Sequence, residues 1–305
     1  MAGDRQGLVE AEQRLFARLA LQHRSRQVAL DAAPVGQARV LEVGDGAPIL
    51  FLHGAGMSAA VWAPLFAHLP GRRCIAVDLP GCGLTDGFDY RGVDLRAHGR
   101  GFLAAVLAAL DLDRVPVVAN SLGSTFGLYL AAEQPGRFSH LVLFGAPGVA
   151  LPGGRGNLAM SLYSRPALGR LVSALSPPIR PPLARRMLVG ICGRAAVDAM
   201  PDEMFEVVAA TVRIAEPTTR TLMPELFAGA TPRPHHVLSD EELVGITTPA
   251  RFVWGRDDRF QPPSAAARAI EVMPDAGLVE TAGGHHPWWD DATGSARLVE
   301  GFLDA

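Results

Sequence analysis

Short, continuous runs of apolar residues alternate along the chain with longer segments whose apolar residues recur at helical spacing. The continuous runs lie at 49–52, 74–77, 115–118 and 141–144. Helical patterns occur between them, at 61–69, 95–110 and 122–133. Continuous rather than alternating apolar strands are typical of a parallel sheet that helices cover on both faces. This part of the chain therefore predicts an α/β fold.

Both ends of the chain add elements to this pattern. Residues 6–24 carry leucines and an alanine at helical spacing, which predicts a leading amphipathic helix. The runs at 28–30 and 39–43 then resemble the two strands of a β-hairpin. Late in the chain we expect strands at 251–254 and 277–280 and helices at 264–272 and 295–303. The elements together predict a mostly parallel eight-stranded sheet flanked by helices.

One segment interrupts the alternation. Residues 148–236 are rich in Pro, Gly, Arg and Met, show helical pieces such as 202–211, and contain no convincing strand. We therefore predict a helical cap at 148–236, inserted into a core domain made of 27–147 and 237–305, with a helical extension at 1–26. Three arginines among the prolines of the cap are expected on a solvated surface: Arg180, Arg185 and Arg186.

Composition excludes several classes of protein. The net charge of −3 argues against a nucleic-acid partner, and no apolar run is long enough to span a bilayer. Residues 1–26 mix charged residues with leucines, unlike a signal peptide. The three cysteines have neither disulfide nor metal spacing, which favours a reducing, cytoplasmic location. We expect no membrane partner and no metal, and the sequence leaves a homodimer open.

The chain contains no lysine, so every basic residue apart from histidine is arginine. Schiff-base chemistry, a serine–lysine dyad and a Walker-A phosphate loop all require lysine. The composition therefore excludes all three.

A candidate nucleophile lies at 119–123, which reads Ala-Asn-Ser-Leu-Gly between a predicted strand and a predicted helix. This is the small-x-Ser-x-small pattern of a nucleophile elbow, in which small flanking residues let the strained turn fit between crossing backbones. The pattern alone also fits a serine that caps a helix. Three further segments support the elbow.

These segments each follow a predicted strand, at 52–56, 254–258 and 283–286. Because the carboxyl ends of parallel strands meet at one edge of the sheet, we expect them to converge on Ser121. Backbone N–H groups of Ala55 and Leu122 would then form an oxyanion hole. The chain order Ser…Asp…His is that of α/β-hydrolases.

With these motifs the chain resembles capped members of the α/β-hydrolase fold superfamily over 27–146 and 246–303. The resemblance rests on the His-Gly turn at 53–54, the Asp-Leu-Pro-Gly-Cys-Gly loop at 78–83, the elbow, the Gly-Arg-Asp-Asp segment at 255–258, and the Gly-His pair at 284–285. It implies a serine hydrolase with Ser121 as nucleophile, His285 as general base and Asp258 as orienting acid. His286 and Asp257 are the rivals for the last two roles.

Other residues are given secondary roles. We expect Gly54, Asn120 and His286 to contact substrate. Asp78 is expected to brace the loop after its strand, and Asp290 and Asp291 to cap the final helix. For His235 and His236 a surface turn is the expectation, with substrate contact as the alternative.

A serine nucleophile favours acyl transfer, in which a carbonyl is attacked and an acyl-enzyme is hydrolysed. Asn120 and the segment 254–260 resemble the meta-cleavage-product hydrolases, which split carbon–carbon bonds in vinylogous diketo acids. The cap arginine that binds the substrate carboxylate there is replaced by Val207 or Val208. We therefore expect an apolar ester or lactone substrate and keep carbon–carbon hydrolysis of a ketone as the alternative, with Arg213 or Arg220 as substitute anchors.

Two alternative interpretations assign the chain to other classes of protein. Residues 54–59 fit Gly-x-Gly-x-x-Ala after a strand, with Asp78 about twenty residues on, as in NAD-dependent oxidoreductases. That interpretation leaves Ser121, Asp258 and His285 unexplained, so we expect no cofactor. A catalytically silent receptor of the same fold is disfavoured by the intact set of Ser, Asp and His.

Overall fold

The computed structural model describes residues 2–32 and 34–304, in which eight strands form one sheet of order β1-β2-β4-β3-β5-β6-β9-β10. The strands are β1 (Arg24–Ala29), β2 (Gln37–Val43), β3 (Ala47–Leu52), β4 (Arg72–Val77), β5 (Val115–Asn120), β6 (Phe138–Phe144), β7 (Phe227–Ala228), β8 (Thr231–Pro232), β9 (Ala250–Gly255) and β10 (Ala276–Thr281). β2 pairs antiparallel with β1 and β4, and the other neighbours in the sheet are parallel. The predicted mostly parallel eight-stranded sheet is confirmed.

Helices cover both faces of this sheet. They are α1 (Ala2–Arg18), α2 (Ala63–Phe66), α3 (Leu95–Ala109), α4 (Leu122–Glu133), α5 (Leu158–Tyr163), α6 (Pro166–Leu175), α7 (Pro181–Cys192), α8 (Arg194–Ala199), α9 (Asp202–Leu226), α10 (Asp240–Gly245), α11 (Ala267–Val272), α12 (Pro287–Asp290) and α13 (Ala292–Leu303). Short 3₁₀ turns occupy Ala59–Trp62, Pro234–His236 and Pro263–Ala266. Among the described helices, none combines the length and the apolar character needed to cross a membrane.

The central strands are buried on both faces, as their continuous apolar sequences predict. In β3, Leu50 and Leu52 belong to one hydrophobic cluster, whereas Ile49 and Phe51 belong to the cluster on the opposite face. Successive strand residues point to opposite faces, so each layer of helices receives every second side chain. Trp62 lies in the second of these layers and stacks there on another buried indole.

Helices α5–α9 lie in the chain between β6 and β9, where the sequence predicted a helical insertion. The expectation that this segment contains no strand is wrong for four residues, because β7 and β8 pair across a turn at Gly229, whose φ is 65°. Two-residue strands are too short to show a period in the sequence. The helix expected at 202–211 continues to Leu226 through Pro217 and Pro224, because its buried side packs against neighbouring helices.

The leading helix ends earlier than expected. Ala20 has a φ of 54°, and the N–H of Leu21 bonds the carbonyl of Phe16 at 2.9 Å, which is the arrangement of a Schellman turn. The residues from Arg24 onward then join the sheet as β1. The expected helix at 6–24 was therefore too long at its carboxyl end.

α1 lies antiparallel along the cap helix α9. Asp4 accepts a hydrogen bond from Arg213 at 2.9 Å near one end, and Arg14 pairs with Glu206 at 2.6 Å near the other. Leu8 and Leu15 are fully buried on the same helix. The N-terminal helix thus packs lengthwise against α9.

A buried ion cluster ties α1 to the sheet. Arg39 on β2 is 1% exposed, and its guanidinium lies 2.5 Å from Glu12 and 3.4 Å from Asp78. Asp78 also accepts the backbone N–H groups of Ala59 at 2.6 Å and Leu84 at 2.8 Å, so it braces the following loop as expected. Burial raises the pKa of Glu12 to about 7, against the opposing effect of Arg39, and the charge of Asp78 adds to the increase.

Because its pKa is raised, Glu12 binds a proton more tightly in the folded state than in the unfolded chain. The stability that this proton contributes is present below about pH 4.5 and is lost as the pH rises through 7. We expect the destabilisation caused by Glu12→Gln to be smaller at about pH 8 than at about pH 5, by about 2–3 kcal/mol. Urea unfolding at the two pH values measures it, with the exposed Glu10→Gln on the same helix as control. A destabilisation that grows with pH would contradict the raised pKa.

Candidate active site

Ser121 stands in the turn between β5 and α4 in a strained backbone conformation. Its φ of 51° and ψ of −116° lie in a region that costs a non-glycine residue about 1–3 kcal/mol. The small residue two positions later is required by the crossing strand, since a Cβ on Gly123 would lie 2.4 Å from the carbonyl oxygen of Leu52. The geometry of a nucleophile elbow is therefore present at 119–123.

The carboxylate of Asp258 lies against the ring of His285. Asp258 Oδ2 is 2.8 Å from His285 Nδ1 and 2.8 Å from the backbone N–H of Ala146, and Oδ1 accepts the N–H of Phe260 at 2.9 Å. Burial alone would raise the pKa of Asp258, but the histidine and the two amides outweigh it and lower the pKa. An ionised Asp258 requires that Nδ1 carry the proton, which leaves Nε2 free to act as a base. Asp257 is exposed, and within the described part of the chain Asp258 is the carboxylate that bonds His285.

Two backbone contacts fix the position of His285. Its N–H donates to the carbonyl of Ile191, the penultimate residue of α7, at 3.2 Å. Its carbonyl accepts the Asn120 side-chain amide at 3.1 Å, and the same amide donates to Phe144 at 2.8 Å. Asn120, expected to bind substrate, thus uses both amide protons to join β5 to β6 and to the histidine loop.

No hydrogen bond joins Ser121 Oγ to His285 within the described part of the chain. Such bonds are often long before substrate binds and shorten in the reacting complex. The structure brings the two residues to the same edge of the sheet, since Asn120 directly precedes Ser121 and bonds the carbonyl of His285.

His286 faces the end of helix α7. Its Nδ1 lies 3.1 Å from the thiol of Cys192, the last residue of α7, and its ring packs between Trp288 and Trp289. Burial, followed by the nearby His285, lowers the pKa of His286 well below its usual range. His286 is therefore a neutral contact between the cap and the histidine loop, and this geometry favours His285 as the base.

The turn after β3 places backbone amides beside the serine. A Cβ on Gly54 would lie 2.9 Å from Asn120 Oδ1 and 3.0 Å from Ser121 Cβ, which is tighter than side chains normally pack, so glycine favours this approach. The segment is followed by the short 3₁₀ turn Ala59–Trp62 and faces the elbow, which disfavours its use as a dinucleotide loop. The N–H of Leu122 is at the first position of α4, where backbone N–H groups have no partner within the helix.

His53 holds the orientation of this turn, a role that the sequence analysis missed. Its Nε2 accepts the N–H of Leu79 at 3.0 Å, so Nδ1 carries the proton and donates it to the Gly54 carbonyl at 2.7 Å. The same carbonyl accepts the N–H of Met57 at 3.2 Å. In a trans peptide the N–H points opposite to the carbonyl, so these bonds fix the direction of the Ala55 N–H. The sequence did carry a signal for this role, because His53 stands between the end of a predicted strand and a glycine.

The cap arginines considered as carboxylate anchors lie elsewhere. Arg213 and Arg220 line a surface groove of about 630 Å³ whose lining contains none of the residues Ser121, Asp258 and His285. Arg213 is bonded to Asp4 and to the carbonyl of Ile179. Val207 and Val208 are buried in the hydrophobic cluster. Among these residues the structure brings no cation to the serine.

Three secondary expectations are settled by contacts. Asp291 caps α13 by accepting the N–H of Gly294 at 2.8 Å. Asp290 lies within α12 and does not cap α13, so that expectation is wrong, because Pro287 begins a separate short helix. The expectation of a surface turn is also wrong for His236, which is buried and bonded through Nε2 to the Glu225 carbonyl at 2.8 Å. It packs the end of α9 against the core.

Comparison with known proteins identifies the family to which this fold belongs. The sequence model of the alpha/beta hydrolase fold matches residues 47–292, so the chain belongs to the α/β-hydrolase family. The carboxylesterase CesB from Bacillus subtilis has a similar structure, with a TM-score of 0.75, 19% identity, and coverage of 99% of this chain and 98% of that one. At this identity the likeness concerns the fold.

Two relatives with higher identity have named activities. A 2-hydroxy-6-oxononadienedioate/2-hydroxy-6-oxononatrienedioate hydrolase from Cupriavidus pinatubonensis is 31% identical, over 86% of this chain and 89% of its own length. A 2-hydroxy-6-oxo-2,4-heptadienoate hydrolase from Pseudomonas putida is 31% identical, over 87% of this chain and 91% of its own. Both are hydrolases, and this chain is a hydrolase of the same fold.

Asp258→Asn should lower kcat by roughly 10³-fold or more, because an amide favours the wrong tautomer of His285. Asp257→Asn, the adjacent and exposed matched control, should cost about tenfold or less. Steady-state kinetics on one substrate compares the two variants. The reverse ranking would mean that Asp257 is the orienting acid.

His53→Ala should lower kcat by roughly 10²-fold with little change in KM, because the Ala55 amide loses its fixed direction toward the developing oxyanion. His140→Ala is the control, since His140 lies on β6 near the opposite end of the sheet and packs on Phe302. Thermal unfolding of both variants separates misfolding from lost catalysis. A folded His53→Ala enzyme with unchanged kcat would remove His53 from the site.

Proposed function

We propose that this hydrolase cleaves the carbon–carbon bond beside the ketone of a 2-hydroxy-6-oxo-dienoate-type substrate through an acyl-enzyme on Ser121. The observation that carries the proposal is the pair of relatives named for such substrates, which align with 86% and 87% of this chain. The alternative raised in the sequence analysis is thus better supported than the preferred ester.

The described contacts supply the parts of an acyl transfer. Ser121 Oγ attacks the ketone carbonyl while His285 Nε2 takes its proton, and Asp258 stabilises the imidazolium that forms. The N–H groups of Ala55 and Leu122 are the proposed donors to the oxyanion. The hydrogen bond from His53 to the Gly54 carbonyl fixes the direction of the Ala55 N–H.

Carbon–carbon cleavage also needs a leaving group that can carry negative charge on carbon. When the 2-hydroxy-dienoate shifts to its keto form, a departing carbanion is delocalised through the conjugated carbonyl. Collapse of the tetrahedral intermediate breaks the bond, and the His285 imidazolium returns a proton to the leaving fragment. Water, activated by the same histidine, then hydrolyses the acyl-enzyme and releases a carboxylic acid.

We infer that residues 148–236 form a cap over this site. The support is the contact of α7 with the histidine loop, in which the carbonyl of Ile191 accepts the N–H of His285. Cys192 extends the same contact to His286. A cap in this position would exclude water from the acyl-enzyme until the first product leaves.

A neutral ester or lactone is the second candidate, and a separate observation favours it. Val207 and Val208 are buried and apolar where the resemblance expects a carboxylate-binding arginine. Arg213 is bonded to Asp4, and Arg220 pairs with Glu216. A carboxylate buried without a partner costs several kcal/mol, so the absence of an anchor favours an uncharged substrate.

The two candidate functions predict opposite substrate preferences. A 2-hydroxy-6-oxo-dienoate should be hydrolysed with a kcat/KM at least about tenfold above that of a neutral medium-chain aryl ester, since only the dienoate offers the vinylogous leaving group. Ser121→Ala is the control and should abolish both activities. An ester preferred by a similar factor would assign the site to the second candidate, and Ser121→Ala activity equal to wild type would contradict both.

A further inference from the structure

The first part of the cap has an unusual charge distribution. Residues 148–197 contain seven arginines and no Asp or Glu: Arg155, Arg165, Arg170, Arg180, Arg185, Arg186 and Arg194. Of these, only Arg185 forms an ion pair with a described residue, to Asp198 and Asp202. Elsewhere many arginines have a carboxylate partner, as in the pair of Arg137 with Asp113. The positive charge of this segment is therefore largely uncompensated.

Apolar side chains are exposed on the same helices. On α6, Leu168, Leu171 and Leu175 are 37%, 53% and 74% exposed, and on α5 Leu158 is 76% exposed. The spacing of three and four residues puts the α6 leucines on one face of the helix. The opposite face packs inward, where Gly169 contacts Tyr163. Helix α6 thus presents its apolar face to solvent, the reverse of an ordinary surface helix.

We term the exposed leucines and arginines of this segment the docking face. It comprises Leu158, Leu168, Leu171, Leu175, Arg165, Arg170, Arg180 and Arg186. All eight residues are exposed. An apolar stripe with arginines around it is the composition of helices that lie in the plane of a membrane interface.

The charge and the apolar side chains of the docking face together indicate which kind of partner it binds. In a twofold dimer the same patch meets itself, so arginines would oppose arginines with no acidic residue between them. A nucleic acid would satisfy the arginines but would leave the leucines without an apolar contact. An anionic lipid surface satisfies both, because phosphate groups pair with guanidinium and the leucines enter the acyl boundary.

We propose that the docking face binds the surface of an anionic phospholipid bilayer. The expectation of no membrane partner rested on the lack of a spanning run, which peripheral binding does not require. The face is also connected to the site, because α7 follows α6 and its Ile191 carbonyl accepts the N–H of His285. Bilayer binding would place the cap beside a reservoir of apolar molecules.

The test is flotation of the full chain with vesicles of phosphatidylcholine alone or of phosphatidylcholine mixed with phosphatidylglycerol. The protein should float with the mixed vesicles and stay behind with the neutral ones, and added salt should weaken the binding. Arg170→Gln with Arg180→Gln should lower the bound fraction at least about fivefold, as should Leu171→Ser with Leu175→Ser. No substrate is present, so the result is independent of the proposed function.

Matched controls use exposed residues outside the docking face. Arg18→Gln with Arg297→Gln removes the same charge, and Val244→Ser removes an apolar side chain that is 52% exposed on α10. These variants should bind like the wild type, and all variants should retain the wild-type melting temperature.

Three outcomes would overturn the proposal. One is the absence of binding to the mixed vesicles, and another is equal loss of binding in the control variants. The third is a dimer in light scattering that Leu171→Ser with Leu175→Ser dissolves while vesicle binding is absent, which would assign the face to a second copy of the chain.

Discussion

The strained backbone of Ser121 is the constraint on which the rest of the site depends. A positive φ at a serine persists only where the surroundings hold it, and here the holding contacts are backbone atoms of neighbouring strands. The carbonyl of Leu52 leaves no room for a side chain at Gly123, and a side chain at Gly54 would press against Asn120 and Ser121. Ser121 and the turn after β3 are therefore fixed against each other by β3 and β5, which pair in the centre of the sheet.

His285, the proposed general base, is held in a different way, because its loop has no regular structure. Asp258 fixes the ring, while Asn120 and Ile191 bond its carbonyl and its N–H. Asn120 ends β5, the strand before Ser121, and Ile191 lies on α7. A movement of α7 would therefore act directly on the position of His285.

Charge is distributed unevenly between the core and the cap. In the core, Arg39 is buried between Glu12 and Asp78, and the same Asp78 supports the turn that begins at Ala59. Removing one partner of such a cluster leaves a buried charge uncompensated, which is far costlier than losing a surface pair. Between β6 and β9, by contrast, Arg170 on α6 and Arg186 on α7 are exposed and form no ion pair with a described residue, so an external anion can bind them.

The sequence by itself determined the sheet, because continuous apolar runs separated by helical patterns are typical of buried parallel strands. It also suggested Ser121, Asp258 and His285 in the order that the fold requires. Tertiary structure decided what depends on contacts between distant segments. His286 contacts Cys192, and His53 accepts the N–H of Leu79. Neither of these partners is close to its histidine in the sequence, so the sequence alone did not reveal the contacts. Local periodicity records which side of an element is buried, whereas a partner's identity is fixed only when the elements pack.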